Sequence, residues 1–260
     1  MAPHTIYLIV IPETSEASTI KELWLHTPTP LTIGRGHYFL STSHLSSTLQ
    51  NDAATNTSPF NLVTILPGAS TSLPISIISL ATNIWSFTAE IEEQWTTNYA
   101  ERNSTLLHAN TTPIPAFPHT PETPPDPNEE EVEFPLTETL RSFLAIFSTK
   151  YTGPVTMFNF LKFHEGMFPR YQMYMNAFLE DLGPKYGVAG RFVGSIVKNG
   201  DGEEESEASK AWDMMAGVHY PGAANFGRML EDEAYKRLDR MYKKGVVRDN
   251  PILLMVELEE

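Results

Sequence analysis

The chain has 260 residues, 41% of them hydrophobic, enough for one large or two small domains with a real core. A formal net charge of −14 argues against non-specific binding to nucleic acid or anionic membranes, whose phosphates attract cationic surfaces. The absence of cysteine excludes disulfides, thiolate catalysis and cysteine-ligated metal sites.

The opening MAPHTIYLIVIPETSE has a short apolar run with no basic flank, interrupted by Pro12. No stretch approaches the roughly 18–20 apolar residues of a bilayer span, so a cytoplasmic protein is expected. TIYLIVIP (5–12) reads as a first strand, TIKELWLH (19–26) as a short helix, and LTIGRGHYFLSTSH (31–44) as a second strand. SPFNLVTILPG (58–68) reads as a third strand. The run 76–103, SIISLATNIWSFTAEIEEQWTTNYAERN, reads as one long helix, with STLLHANTTPI (104–114) as a fourth strand. Thr111 to Pro135 is rich in proline and ends in an acidic run, a composition that favours extended chain. It is either a linker between two halves or a long surface loop. The linker reading divides the chain into 1–112, 113–135 and 136–260.

The second half begins with a helix over 136–151, with Leu140, Phe143, Leu144 and Phe147 at helical spacing. PVTMFNFLKF (154–163) is apolar on both faces, as a strand buried on both sides must be. Phe168, Tyr171, Met175, Phe178 and Leu182 form the stripe of an amphipathic helix that Gly183-Pro184 should end. VAGRFVGSIVK (188–198) is a second strand, NGDGEEESEASK (199–210) an exposed acidic hairpin loop, and AWDMMAGVHY (211–220) a third strand. In the next helix Phe226, Met229, Leu230, Ala234, Leu238 and Met241 face inward, and Gly245 stops it. PILLMVELE (251–259) closes the pattern.

The order βαββαβ is that of a ferredoxin-like unit. An α+β chain of two such halves, packed sheet to sheet as an α/β barrel, is expected. Strands one and three of each half are expected side by side and parallel. Leu66-Pro67-Gly68 and Tyr220-Pro221-Gly222 end the two third strands alike, which hints at an internal duplication.

The runs VTMFNFLKF, YQMYMNAF and WDMMAGVHYPGAANFGRMLEDEAYKRLDRMYKKG make residues 153–259 resemble the DUF1330 family of dimeric α/β-barrel proteins. Asn159, Lys162, Phe163, Tyr171, Trp212, Tyr220, Pro221, Phe226, Tyr235 and Arg240 carry the likeness. The long acidic loop, the missing proline before EAY and the extra first half depart from it. The resemblance implies a barrel fold, and relatives in that superfamily include cofactor-independent monooxygenases, cyclases, isomerases and dehalogenases. It implies a ligand site between sheet and helices or within the barrel, and either a monomer with an intrachain barrel or a homodimer. Fold alone does not specify the reaction.

With strands one and three parallel, Lys162, His164 and His219 would gather at one sheet edge, where a histidine can move a substrate proton near neutral pH. His219 is then either the acid or base, or a strand-end side chain bonded to a loop carbonyl. Asp213, on the same face as His219, needs a partner, and Arg191 on the neighbouring strand is the expected one. Arg191 is alternatively a binder of an enolate oxygen. Asn159 amid aromatics needs partners from core or ligand. Tyr171 and Tyr174 are packing residues with a polar tip or substrate contacts, and Trp212 and Tyr220 complete the substrate-binding set. His37 and His44 lack metal-ligand spacing, and no nucleotide loop or serine elbow occurs. The chain is therefore expected to use no metal or cofactor, and a barrel-type fold lined by Phe, Met, Tyr and Trp with a few His, Asp, Arg and Asn groups suggests action on a small apolar or aromatic carbonyl compound. Cyclisation, isomerisation or dehydration are the reactions expected. A non-catalytic ligand-binding barrel and a cofactor-independent monooxygenase are the alternatives.

Overall fold

The computed structural model describes residues 1–109, 115–120, 132–197 and 206–259. In the first half the chain runs β1 (Ala2–Val10), α1 (Glu16–His26), β2 (Thr32–Ser41), β3 (Leu62–Pro67), α2 (Ile75–Leu80), β4 (Asn83–Ile91), α3 (Glu93–Thr96) and α4 (Tyr99–Leu107). The second half runs α5 (Glu138–Lys150), β5 (Val155–Phe163), α6 (Phe168–Ala177), α7 (Gly183–Tyr186), β6 (Ala189–Ile196), α8 (Glu207–Ala211) and β7 (Met214–Tyr220). It ends with α9 (Ala223–Glu231), α10 (Glu233–Leu238), β8 (Val247–Asp249) and β9 (Ile252–Glu257).

Each half makes a four-stranded ferredoxin-like sheet, in the order β4-β1-β3-β2 and β9-β5-β7-β6. The two sheets join edge to edge: β2 pairs with β9, and β4 with β6. Eight strands thus close into one antiparallel α/β barrel within a single chain, with β8 appended to β5. Closure removes the free edges that an open sheet would expose.

Side-chain alternation divides the core into three compartments. Inward residues such as Ile6, Leu8, Val63, Phe158, Phe160 and Phe192 fill the barrel. An eight-stranded barrel is just wide enough to be filled in this way. Outside the first sheet, Leu23 of α1 and Ile77 of α2 pack on Ile9, Ile33 and Leu62. Outside the second, α5, α6, α9 and α10 cover Met157, Leu161, Met214 and Leu254. Phe158 on one face of β5 and Met157 on the other are both buried, which explains why this strand is apolar throughout.

Several expectations are corrected. β1–β3 and β5–β7 are antiparallel, as each third strand lies between two parallel strands joined by a crossover helix. The run 76–103 is not one helix: it holds most of α2, then β4, α3 and the start of α4. Its centre alternates with period two, placing Trp85, Phe87, Ala89 and Ile91 inward. Ser104–Leu107 lies in α4 rather than in a fourth strand, and 110–114 fall outside the described residues.

Gly183-Pro184 does not end the helix begun at Phe168. A π-helical turn (Phe178–Leu182) leads into α7, where proline needs no N–H partner, and Gly187 stops the chain at φ 66°. Most of the acidic loop lies outside the described residues, but Glu207–Lys210 belong to α8, capped by Ser206, whose hydroxyl accepts from Ser209 N. Within the proline-rich segment, Phe117 and Phe134 are buried in the core of the second half, while Pro115, Ala116, His119, Glu133 and Pro135 are exposed.

Candidate functional site

Between the outer face of the second sheet and helices α6, α9 and α10 lies a cavity of about 360 Å³. This is the size of a small-molecule site. Met157, Asn159, Ala216 and Val218 form its sheet wall, while Tyr171, Tyr174, Phe178, Phe226 and Met229 form its helix wall. Glu92, Gln94, Gln172 and Asn176 are exposed at its rim. The first half contributes directly to this rim through Trp95 of α3. Trp95 lies against Gly190 so closely that a Cβ there would sit 2.7 Å from the indole. Arg102 secures the contact, donating to the carbonyls of Trp95 (2.7 Å) and Arg191 (2.9 Å).

Four tyrosines bring phenolic hydroxyls to the cavity. Tyr171 and Tyr174 stand 5.7 Å apart by ring centroid, and Tyr220 meets Phe226 edge-on at 5.3 Å. Burial raises the pKa of Tyr171, Tyr174, Tyr220 and Tyr235, so all four keep their protons and remain hydrogen-bond donors. Tyr235 donates to Asp239 Oδ2 at 3.2 Å. Asn159 commits its Nδ2 to the carbonyls of Met157 (2.9 Å) and Ala216 (3.5 Å), leaving its oxygen as the acceptor.

One basic side chain lines the cavity among the described residues, Lys243. It is 5% exposed, with Nζ 5.4 Å from the Phe134 ring centroid and 5.7 Å from that of Tyr174. Burial lowers its pKa, with Asp239 and Glu133 pulling the other way. Periodicity hides this residue, because an ideal helix continued from Leu238 turns Met241 inward. A π-helical turn (Asp239–Lys243), closed by the bond from Lys244 N to Asp239 O at 2.8 Å, adds a residue to the turn. Asp239 and Lys243 become buried and Met241 is left 49% exposed.

The candidate residues divide among three places. Asn159, Tyr171, Tyr174 and Tyr220 meet at the cavity. Lys162, His164 and Asp213 line an adjoining, more open cleft of about 560 Å³ with Arg248, which shares Phe168, Ser195 and Met214 with the cavity. There Lys162 Nζ donates to Asp213 Oδ1 at 2.7 Å. Lysine, rather than the expected Arg191, is therefore the partner of Asp213, because antiparallel pairing brings the end of β5 to the start of β7.

The third place is the barrel. His219 lies opposite Thr156 and shares the inner face of β7 with Met215, away from Lys162 and His164. Its pKa is lowered from 6.5 to about 4 by burial and by the nearby Arg191. Arg191 is 1% exposed and donates to Thr156 Oγ1 (2.5 Å), Tyr99 OH (2.8 Å) and Asn103 Oδ1, and pairs with Glu257. These partners come from three elements of both halves, α4, β5 and β9, which Arg191 ties to its own strand β6. Trp212 is also internal, donating Nε1–H to Asp249 Oδ2 at 3.1 Å. Among the described residues, no group of three His, Asp or Glu side chains could hold a metal.

No protein-family model and no curated protein matches the sequence, so the DUF1330 resemblance stays one of motif and fold type. Among solved structures, a "Putative monooxygenase" from Fusobacterium nucleatum is 10% identical, with a TM-score of 0.44 over 100% of this chain and 98% of that one. The methylated RPA0582 protein is 17% identical, with a TM-score of 0.34 over 46% of this chain and 91% of that one. An aldoxime dehydratase in complex with butyraldoxime is 9% identical, with a TM-score of 0.29 over 99% of this chain and 79% of that one. Likenesses this distant transfer no activity.

Proposed function

We propose that this protein is a small-molecule enzyme that moves a proton beside the carbonyl group of a compact apolar or aromatic compound, using its own side chains and no cofactor. The observation that carries this reading is one cavity combining aromatic walls, protonated phenols and the buried amine of Lys243. Tyr171 and Tyr220 would donate to the carbonyl oxygen and stabilise the charge that develops there as an enolate forms. Lys243, held below the usual lysine range by burial, would supply the base nearer neutral pH. Asn159 and Arg191 are less suited to hold the oxyanion, since their donors are largely committed within the protein. His219 and Asp213 would support the fold.

The test needs no knowledge of the natural substrate. Exchange of the α-protons of phenylacetone for deuterium in D₂O can be followed by NMR. The wild type should accelerate exchange, and Val218→Trp, which fills the cavity from its sheet wall, should abolish the effect. Acceleration equal in both proteins would sink the assignment of this cavity.

A further inference from the structure

Lys243 differs from the other lysines whose partners the structure records. Lys162, Lys185 and Lys236 each donate to a carboxylate, of Asp213, Asp232 and Glu233. Lys243 has aromatic faces as its nearest recorded partners, the rings of Phe134 and Tyr174. Of the two carboxylates that influence it, Asp239 already accepts from Glu133 N at 2.6 Å and from Tyr235 OH at 3.2 Å. Glu133 accepts from Gly245 N at 3.1 Å. An amine that is buried, apolar in its surroundings and open to a ligand cavity is well placed to be a nucleophile.

We propose that Lys243 is a covalent attachment point, condensing with the carbonyl carbon of a small apolar aldehyde or ketone to form an imine. This rests on the reading of the cavity as the substrate site; it makes Lys243 the nucleophile in place of the base, and it narrows the substrate class to aldehydes and ketones, excluding esters and acids. The neutral amine attacks the carbonyl carbon, a C–N bond forms, and a proton passes from nitrogen to oxygen to give a carbinolamine. Loss of the hydroxyl as water, with a proton taken up, breaks the C–O bond and leaves a protonated imine. No oxidant or reductant is needed. The iminium draws electrons from the adjacent carbon more strongly than the carbonyl does, so that carbon can lose its proton to water without the amine as base. The protonated phenols around the cavity can hold the carbonyl oxygen during attack. Burial favours the neutral, reactive form of the amine.

Reductive trapping tests the proposal directly. The full-length protein is incubated at pH 7 with cinnamaldehyde and cyanoborohydride, then digested and mapped by mass spectrometry. The expected result is saturable labelling at Lys243 in clear excess over every surface lysine, since the lowered pKa leaves more of this amine neutral at pH 7. Lys243→Arg should lose this label while keeping a cation. β-Methylstyrene, which has the same shape without the carbonyl, serves as a reference ligand read by the fluorescence of Trp95 at the rim. Equal labelling of surface lysines and Lys243 overturns the proposal. Binding of the styrene without a Lys243 adduct also overturns it, and leaves the cavity reading standing. If neither probe engages the cavity, both fail. Should Lys243→Arg not fold, the wild-type peptide map still decides.

Discussion

Acid should expose His219. The imidazole is 2% exposed on the inner face of β7, its Nδ1 has no partner, and burial with the Arg191 guanidinium lowers its pKa from 6.5 to about 4. In the unfolded chain it binds a proton near 6.5. Between these values the unfolded state holds the extra proton, so stability rises with pH across the window. The contribution is complete above about pH 6.5 and is lost as pH falls from there toward 4. Each pH unit between two pKa values is worth about 1.4 kcal/mol, so the full interval corresponds to about 3 kcal/mol. His37, lowered to about 4 by burial and Arg35, and His4, lowered by burial, act in the same direction. The share of His219 must therefore be read by difference. Chemical denaturation of the wild type and His219→Leu at pH 7 and pH 4.5 supplies it. The wild type should lose about 2–3 kcal/mol more than the variant over this range. Parallel losses would refute the reasoning, since the histidine would then titrate alike folded and unfolded.

Three further outcomes follow from the geometry. Arg191→Met should cost about 3–5 kcal/mol by thermal or denaturant unfolding, because it leaves buried Glu257 without its cation and unties four elements. Trp212→Phe should cost about 1–3 kcal/mol in the same assay, since Asp249 loses the indole donor but keeps Ser43 Oγ and His44 N. Gly190→Val should displace Trp95 from the rim, costing about 1–3 kcal/mol, and should weaken binding of β-methylstyrene measured by fluorescence.

Much of the fold was legible because its signals are local. β5 is apolar on both faces, the first half opens with β1, and Gly245 stops the last helix at φ 71°, each as its residues indicate. The βαββαβ order follows from such segments, and the barrel from the need of each half to cover a second apolar face. β4 is hard to read locally because its alternation of Trp85, Phe87, Ala89 and Ile91 lies between two helix-forming runs. Of the site, the cavity tyrosines and Asn159 stood out as polar atoms amid apolar residues.

What sequence alone determined is therefore the set of elements, their apolar faces and the residue types a ligand would meet. Only tertiary structure decided which of those residues meet. Antiparallel pairing sent Lys162 to Asp213 and His219 to the opposite end of the strand, although all three lie on legible strands. The π-helical turn rotated Lys243 into the cavity in place of Met241. α3 carried Trp95 across from the first half to form the rim. The physical reason is the same in each case. Pairing direction, helix register and docking between halves are set by how distant segments bury surface together, and no local window of sequence contains that information.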